Sequence, residues 1–217
     1  MTPRSAFLSP ALSEYVLAHT EPPDEAMAAL IAETAGIAEV SMQIAPDQAA
    51  FMTLLARSVG ARRAIEIGTF TGLSALAVAR ALPEDGSLLC CDINAEWTAI
   101  GRRHWELAGI SDRIELRIGP AAQTLADLPE EPTYDFAFVD ADKTGYAGYV
   151  ADLYPRMLPN GLVLLDNTLR GGWVLGGTGA SAADEAIIAL NDELAADRRW
   201  DTVLLPIADG LTLLRKR

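Results

Sequence analysis

The sequence predicts an α/β fold: an open, mostly parallel sheet with a C-terminal antiparallel hairpin and an N-terminal helical extension. Three observations predict it. From Ala64 onward short apolar runs alternate with helical stretches, which means right-handed crossovers and a sheet covered on both faces. The last two apolar runs flank Asp209-Gly210, and an Asp-Gly pair between two strands signals a hairpin. The first 60 residues show helical periodicity alone.

Taken in order, the N-terminal helices are "LSEYVLAHT", "PDEAMAALIAETAGIAE" and "PDQAAFMTLLARSVG", the last with a proline at its start, where the missing N–H costs nothing. Strand-like runs follow at 64–68, 87–93, 113–119, 134–141 and 161–167. Helical stretches separate them: "GLSALAVARAL", "AEWTAIGRRHWELAG", "AAQTLADL" and "GYAGYVADLYPRML". After a last helix, "SAADEAIIALNDELAAD", the runs "WDTVLLPIA" and "LTLLRKR" form the expected hairpin. The reading is a single domain over residues 1–217, with a helical cap over 1–60 and a Rossmann-like core over 61–217.

Composition narrows the function classes. Half the residues are apolar and 22% are charged, as in ordinary globular proteins. A net charge of −13 argues against nucleic acid as a partner, since phosphate binding needs clustered Lys and Arg. No apolar stretch approaches the ~20 residues of a membrane span, and "MTPRSAFLSPALSEY" lacks the apolar segment of a signal peptide. Cys90 and Cys91 are adjacent in a strand, so they point to opposite faces and are expected to be reduced and inert. A cytoplasmic protein follows as the expectation.

Ligands in such sheets bind beyond the carboxyl ends of the strands, so the strand ends carry the functional reading. The first ends in "EIGTFTG", where Gly68 and Gly72 permit a tight turn and a close ligand approach, with Thr69 and Ser74 beside it. The spacing is not G-x-G-x-x-G, and Glu66 would repel a pyrophosphate, so a ribose-bearing ligand fits better than a dinucleotide. Asp92 ends the second strand, about 20–25 residues after the glycine turn, where an acid meets ribose hydroxyls. Ala121, after the third strand, is placed to pack beside an adenine. Asp140 ends the fourth strand and Asp166-Asn167 the fifth; neighbouring tips lie ~5 Å apart, close enough to share a cation. All-oxygen ligation selects Mg²⁺ or a similar hard ion rather than zinc. Lys143 stands at the same rim, and the plainer alternative is that Asp142 and Lys143 only cap the next helix.

"AIEIGTFTGLSALAVARALPEDG", "CCDIN", "RIELRIGPAAQTL", "YDFAFVDADKTGY", "GLVLLDNTLRGG" and "LPIADGLTLLRKR" together resemble the cation-dependent O-methyltransferases of the caffeoyl-CoA and catechol type, O-methyltransferase family 3, from about Met42 to the C-terminus. The resemblance implies a seven-stranded class I methyltransferase sheet and S-adenosylmethionine (SAM) as cofactor. Glu66, Asp92 and Ala121 would contact its ribose and adenine; Gly68, Thr69 and Ser74 its methionine end; Asp142 the region of the sulfonium. Met42 and Ile44 match backbone positions that close over it. Asp140, Asp166 and Asn167 match divalent-metal ligands, and Lys143 the general base, for a phenolic acceptor of catechol type. A homodimer is also implied, and Leu12, Tyr15, Val16, Leu30 and Ile31 supply apolar positions for it.

Where plant relatives carry Trp and then Asn after "DNTL", this chain has Arg170 and Gly171, on the acceptor side. A guanidinium there suits the carboxylate of a small acidic catechol such as caffeate or dihydroxybenzoate; the alternative is a pair between Arg170 and a surface acid such as Asp184. Two rivals to methyl transfer exist. "VDADKT" fits the D-x-D-x-T motif of haloacid-dehalogenase phosphatases, although that motif should close the first strand of its fold, and here three strands precede it. The other is a non-catalytic SAM-binding module, against which the presence of Lys143 and all three metal-ligand positions counts.

Overall fold

A computed structural model describes residues 7–217. Its seven strands are β1 (Arg63–Ile67), β2 (Ser87–Asp92), β3 (Ile114–Ile118), β4 (Tyr134–Val139), β5 (Met157–Asp166), β6 (Trp200–Leu205) and β7 (Leu211–Lys216). They form one sheet in the order β3-β2-β1-β4-β5-β7-β6. The first five run parallel, and β7 inserts antiparallel between β5 and β6. The chain builds outward from β1 through β2 to β3, then crosses back to place β4 on the other side of β1. That reversal opens a crevice at the carboxyl ends of β1 and β4.

Eight α-helices complete the fold: α1 (Pro10–Ala18), α2 (Glu25–Thr34), α3 (Pro46–Ser58), α4 (Leu73–Ala81), α5 (Ala95–Leu107), α6 (Ala121–Asp127), α7 (Tyr146–Arg156) and α8 (Ala182–Ala196). Side chains cap the starts of α1, α2, α5 and α8. Asn94 accepts from two backbone N–H groups at the head of α5, and Ser181 with Asp184 forms a reciprocal capping box on α8.

The strands read as continuous apolar runs because both faces of the sheet are covered. On one face Ala64, Leu88, Cys90, Phe136 and Phe138 pack with α4 and with Leu30 and Met52 from the N-terminal helices. On the other, Ile65, Ile67, Cys91, Ala137 and Val139 pack under α7 and α8. Cys90 and Cys91 thus face opposite sides as the alternation requires, both free and buried, with burial pushing the Cys91 thiol up to about 12. Among the described residues no helix is long and apolar enough to cross a membrane.

Two boundaries differ from the expected ones. β5 begins at Met157 rather than at 161: Met157 pairs with Tyr134, and a register shift separates that pair from Phe136 and Leu162. The "PNG" at 159–161 breaks the apolar run, and Asn160 adopts a left-handed φ of 68° there, so the first strand residues read as a helix end. The hairpin forms around Asp209-Gly210, but through a five-residue loop, 206–210, rather than a two-residue turn. That loop is tied to the segment after β5 by Thr168 N–H to Gly210 O (3.0 Å) and Leu169 N–H to Asp209 O (2.9 Å).

The N-terminal helices are joined to the glycine turn by one buried contact. Thr34, at the end of α2, donates through Oγ1 to Thr71 Oγ1 at 2.9 Å, and both residues are fully buried. Thr34→Val keeps the shape and leaves the Thr71 hydroxyl short of a partner. The expected cost is about 1–3 kcal/mol, read as a lower denaturant midpoint at unchanged slope.

Candidate active site

The carboxyl ends of β1 to β5 open into a cavity of about 1000 Å³. Its centre is the turn after β1. Gly68 sits at φ 88°, and a Cβ there would stand 2.1 Å from the backbone oxygen of Asp140. Gly72, at φ 82°, would drive a Cβ to 2.6 Å from the Trp105 ring. Both positions demand glycine. Asp92 organises the turn: its carboxylate accepts from the N–H groups of Thr69 (2.8 Å), Phe70 (2.7 Å) and Asn94 (2.8 Å). Expected as a ribose acceptor, Asp92 does lie on the cavity wall, with three of its roughly four acceptor positions already met by backbone.

Glu66 lies behind the wall rather than on it: it is fully buried beside the turn, where its Oε1 accepts from the Cys90 thiol at 3.9 Å. As the fourth residue of β1 its side chain projects to the α4 face rather than toward the strand end. Burial pushes its carboxyl up to about 8, with the charges of Asp140 and Asp92 adding to the effect and the Ser74 and Thr69 hydroxyls opposing it. Glu66 Oε2 and Thr69 Oγ1 meet no partner within hydrogen-bond geometry.

The remaining expected residues share the wall: Met42, Ile44, Gly68, Thr69, Ser74, Ala121, Asp140, Asp142, Lys143, Asp166, Asn167 and Arg170. β4 and β5 are neighbours with Val139 opposite Leu165, so Asp140 and Asp166 follow side by side at the two tips. Asp166 is buried, and burial, with the charge of Asp140, pushes its carboxyl up to about 7 against the pull of Lys143. Lys143 donates to Asp140 Oδ1 (2.8 Å) and to the Tyr146 hydroxyl (2.7 Å), which in turn contacts the backbone oxygens of Val139 and Asp166. Lys143 is thereby held against both tips rather than left as a solvated cap. Asn167 takes a left-handed φ of 55°, a conformation asparagine tolerates.

Three aromatic or phenolic groups that the sequence reading missed complete the wall or its backing. Tyr149 donates to Asp142 Oδ1 at 2.6 Å. Phe70 and Trp97 form an edge-to-face pair with centroids 5.2 Å apart on the cavity rim. Their signal in the sequence was only position: Trp97 in the first turn after Asp92-Ile93-Asn94, and Tyr149 one helical turn beyond Tyr146.

On the acceptor side Arg170 lines the cavity and is already engaged through one nitrogen: its Nε donates to Asp184 Oδ1 at 2.8 Å. Ser181 pins Asp184 through its hydroxyl and N–H, and with Arg170 holds that carboxyl down to about 2. The pair with Asp184 is therefore the arrangement adopted. Among the described residues no group of three or more His, Cys, Asp or Glu side chains gathers as a metal site; the tips of β4 and β5 offer two carboxylates and the Asn167 amide.

A switch-point crevice with a glycine turn and an acid at the second strand end defines a nucleoside-binding α/β enzyme. Residues 18–217 match the family described as O-methyltransferase, and the chain belongs to that family. It is a SAM-dependent O-methyltransferase of the caffeoyl-CoA type, with the expected seven-stranded sheet. It is 41% identical over 174 residues to a probable caffeoyl-CoA O-methyltransferase 2 of Dictyostelium discoideum, covering 78% of this chain and 75% of that one. Among solved structures it resembles the O-methyltransferase TomG of Streptomyces achromogenes in complex with SAM, at 26% identity and TM-score 0.84, covering 95% of this chain and 96% of that one. It also resembles a Bacillus cereus O-methyltransferase in complex with SAH, at 27% identity and TM-score 0.86, covering 95% and 97%. Family membership sets aside the phosphatase reading of "VDADKT" and the non-catalytic module.

Glu66 yields a pH-dependent expectation. Its folded value of about 8 lies above the ordinary 4.5, so between those values the unfolded chain releases a proton that the folded chain retains. Its contribution to stability therefore falls as pH rises through that window. Glu66→Gln removes the effect, so the melting-temperature difference between variant and wild type should grow in the variant's favour from pH 5 to pH 8. A difference that stays constant across that range would show that Glu66 does not carry a raised value.

Proposed function

We propose that the enzyme methylates one oxygen of a vicinal-dihydroxy, catechol-type aromatic, with Mg²⁺ or a similar divalent cation held by Asp140, Asp166 and Asn167. The observation that carries this reading is geometric: two carboxylates, one of them buried, stand at adjacent strand tips beside the Asn167 amide. Shared positive charge relieves the repulsion between two such groups when both are ionised. The donor set is all oxygen, which suits a hard cation. The similarity to caffeoyl-CoA O-methyltransferases supports the same acceptor class.

SAM is assigned to the wall formed by Met42, Ile44, Gly68, Thr69, Ser74, Asp92, Ala121 and Asp142, all lining one cavity. When bound, the cation supplies Lewis-acid charge that lowers the pKa of a chelated hydroxyl. Lys143 stands where it would take the hydroxyl proton. SAM, when bound, would supply the methyl group to that oxygen, with the carbon–sulfur electron pair leaving on SAH. Tyr146 and Asp140 fix where the Lys143 amine sits, and the cavity holds both reactants in line. Asp184 already occupies Arg170, so no preference for an acidic catechol is assigned.

Chelator treatment should abolish methylation of a catechol while leaving SAM affinity by calorimetry nearly unchanged, and added Mg²⁺ should restore turnover. Full activity in chelator would remove the cation from the mechanism. We also infer a homodimer. Leu30 is spent in the core and Ile31 packs on it, but Leu12 and Tyr15 remain 54% and 62% exposed on α1. Light scattering at micromolar concentration should give twice the chain mass, and a monomer there would count against it.

A further inference from the structure

Gln48 stands in the first turn of α3 and lines the cavity together with Asp140, Lys143, Asp166 and Asn167. It is fully buried, and neither its amide nitrogen nor its amide oxygen has a hydrogen-bond partner. Each buried polar group left unmet costs about 1–3 kcal/mol. Methionine would fill the same volume without that cost. A side chain kept under such a penalty at the wall of a binding cavity points to groups that meet it when the site is loaded.

The chemistry of those groups follows from the amide. A bare cation would meet only the oxygen, and a carboxylate only the nitrogen. Two different neighbours are needed: an acceptor for the N–H and a donor for the oxygen. The Asp166 carboxylate, on the same cavity wall, is the acceptor at hand. No donor is supplied by the wall around Gln48 within hydrogen-bond geometry, so it comes from the ligand. A hydroxyl on the acceptor aromatic has the right character.

We propose that Gln48 is a positioning residue of the catalytic centre: its amide N–H donates to the Asp166 carboxylate, and its amide oxygen accepts from a hydroxyl of the bound acceptor. This rests on the reading of Asp140, Asp166 and Asn167 as cation ligands. Gln48 orients one of those ligands and selects acceptors that carry a second hydroxyl. It does no proton transfer itself, because an amide does not titrate in the working range.

The test compares wild type with Gln48→Met, which conserves volume and removes both polar atoms, and with Gln48→Asn, which keeps the amide but shortens its reach. Three quantities are read: Mn²⁺ affinity of the SAM-saturated protein by calorimetry, SAM affinity, and kcat and KM for 3,4-dihydroxybenzoate at saturating Mn²⁺. Losing an outer-shell partner of a metal ligand typically weakens metal binding about 10–100-fold. Both variants should show a loss in that range, with SAM affinity unchanged, the ligand-free melting temperature of Gln48→Met equal to or above wild type, and KM raised several-fold. A folded variant with wild-type Mn²⁺ affinity, or with wild-type KM, overturns the proposal. Absence of Mn²⁺ binding by the wild type itself would instead overturn the cation reading on which it stands.

Discussion

The approach of Gly68 to the backbone of Asp140 is the constraint on which the site depends. A strand order that reverses at β1 puts the ends of β1 and β4 side by side, and only a residue without Cβ lets the two chains turn away from each other there. Backbone bonds then lock the tips into one rim: Asp140 N–H to Ile67 O at 2.7 Å, Gly68 N–H to Cys91 O at 2.9 Å, and Gly119 N–H to Asp92 O at 2.9 Å. Glu66, Asp92 and Asp140 are carried on this rim or one residue from it. Replacing Gly68 with any side chain would move Asp140 and the turn together, and with them both halves of the cavity.

The rim concentrates negative charge where solvent is largely excluded. Glu66, Asp92, Asp140 and Asp166 end or nearly end four adjacent strands, and the raised values of Glu66 and Asp166 record first their burial and then the charge of their neighbours. Lys143 is the cation bonded directly to Asp140, and it is shared with a tyrosine hydroxyl. Such an arrangement favours ligands that bring positive charge with them. A sulfonium cofactor and a divalent ion both do, which is why one physical feature supports both halves of the proposed chemistry. The net charge of −13 adds a long-range field of the same sign.

Strands and their tips were legible because they obey simple rules. Runs buried on both faces are continuous in apolar residues, and polar residues just past them have nowhere to go but the crevice. The start of α3 was legible from its proline, Pro46. Tyr146 and Tyr149 were not, because a tyrosine on an amphipathic helix reads as packing, and only the turn after β4 shows that their hydroxyls reach Val139 O and Asp142. The seat of Glu66 behind the wall was not legible for a related reason: its position at a strand end was plain, but strand alternation sends its side chain into the α4 face. Gln48 carried no signal at all, since one glutamine among the first residues of a helix is ordinarily solvated.

Arg170 shows where reading a sequence by position stops working. Arg170 and Asp184 are separated by a loop in which Gly171 and Gly172 take φ values of 59° and 97°, conformations no local pattern announces. What settles the pairing is that Asp184 is already fixed. Its carboxylate serves the capping box of α8, so it is a preformed anion that Arg170 meets at little further entropic cost. Through its Nε the guanidinium is a structural tie between the acceptor loop and α8, and two bonds from Ser181 hold the far end of that tie. Asp209 ties the same loop to the hairpin by accepting from Gly171 N–H. Discrimination among acceptors must then come from groups that face the cavity without a partner of their own, and on this wall the buried amide of Gln48 meets that description.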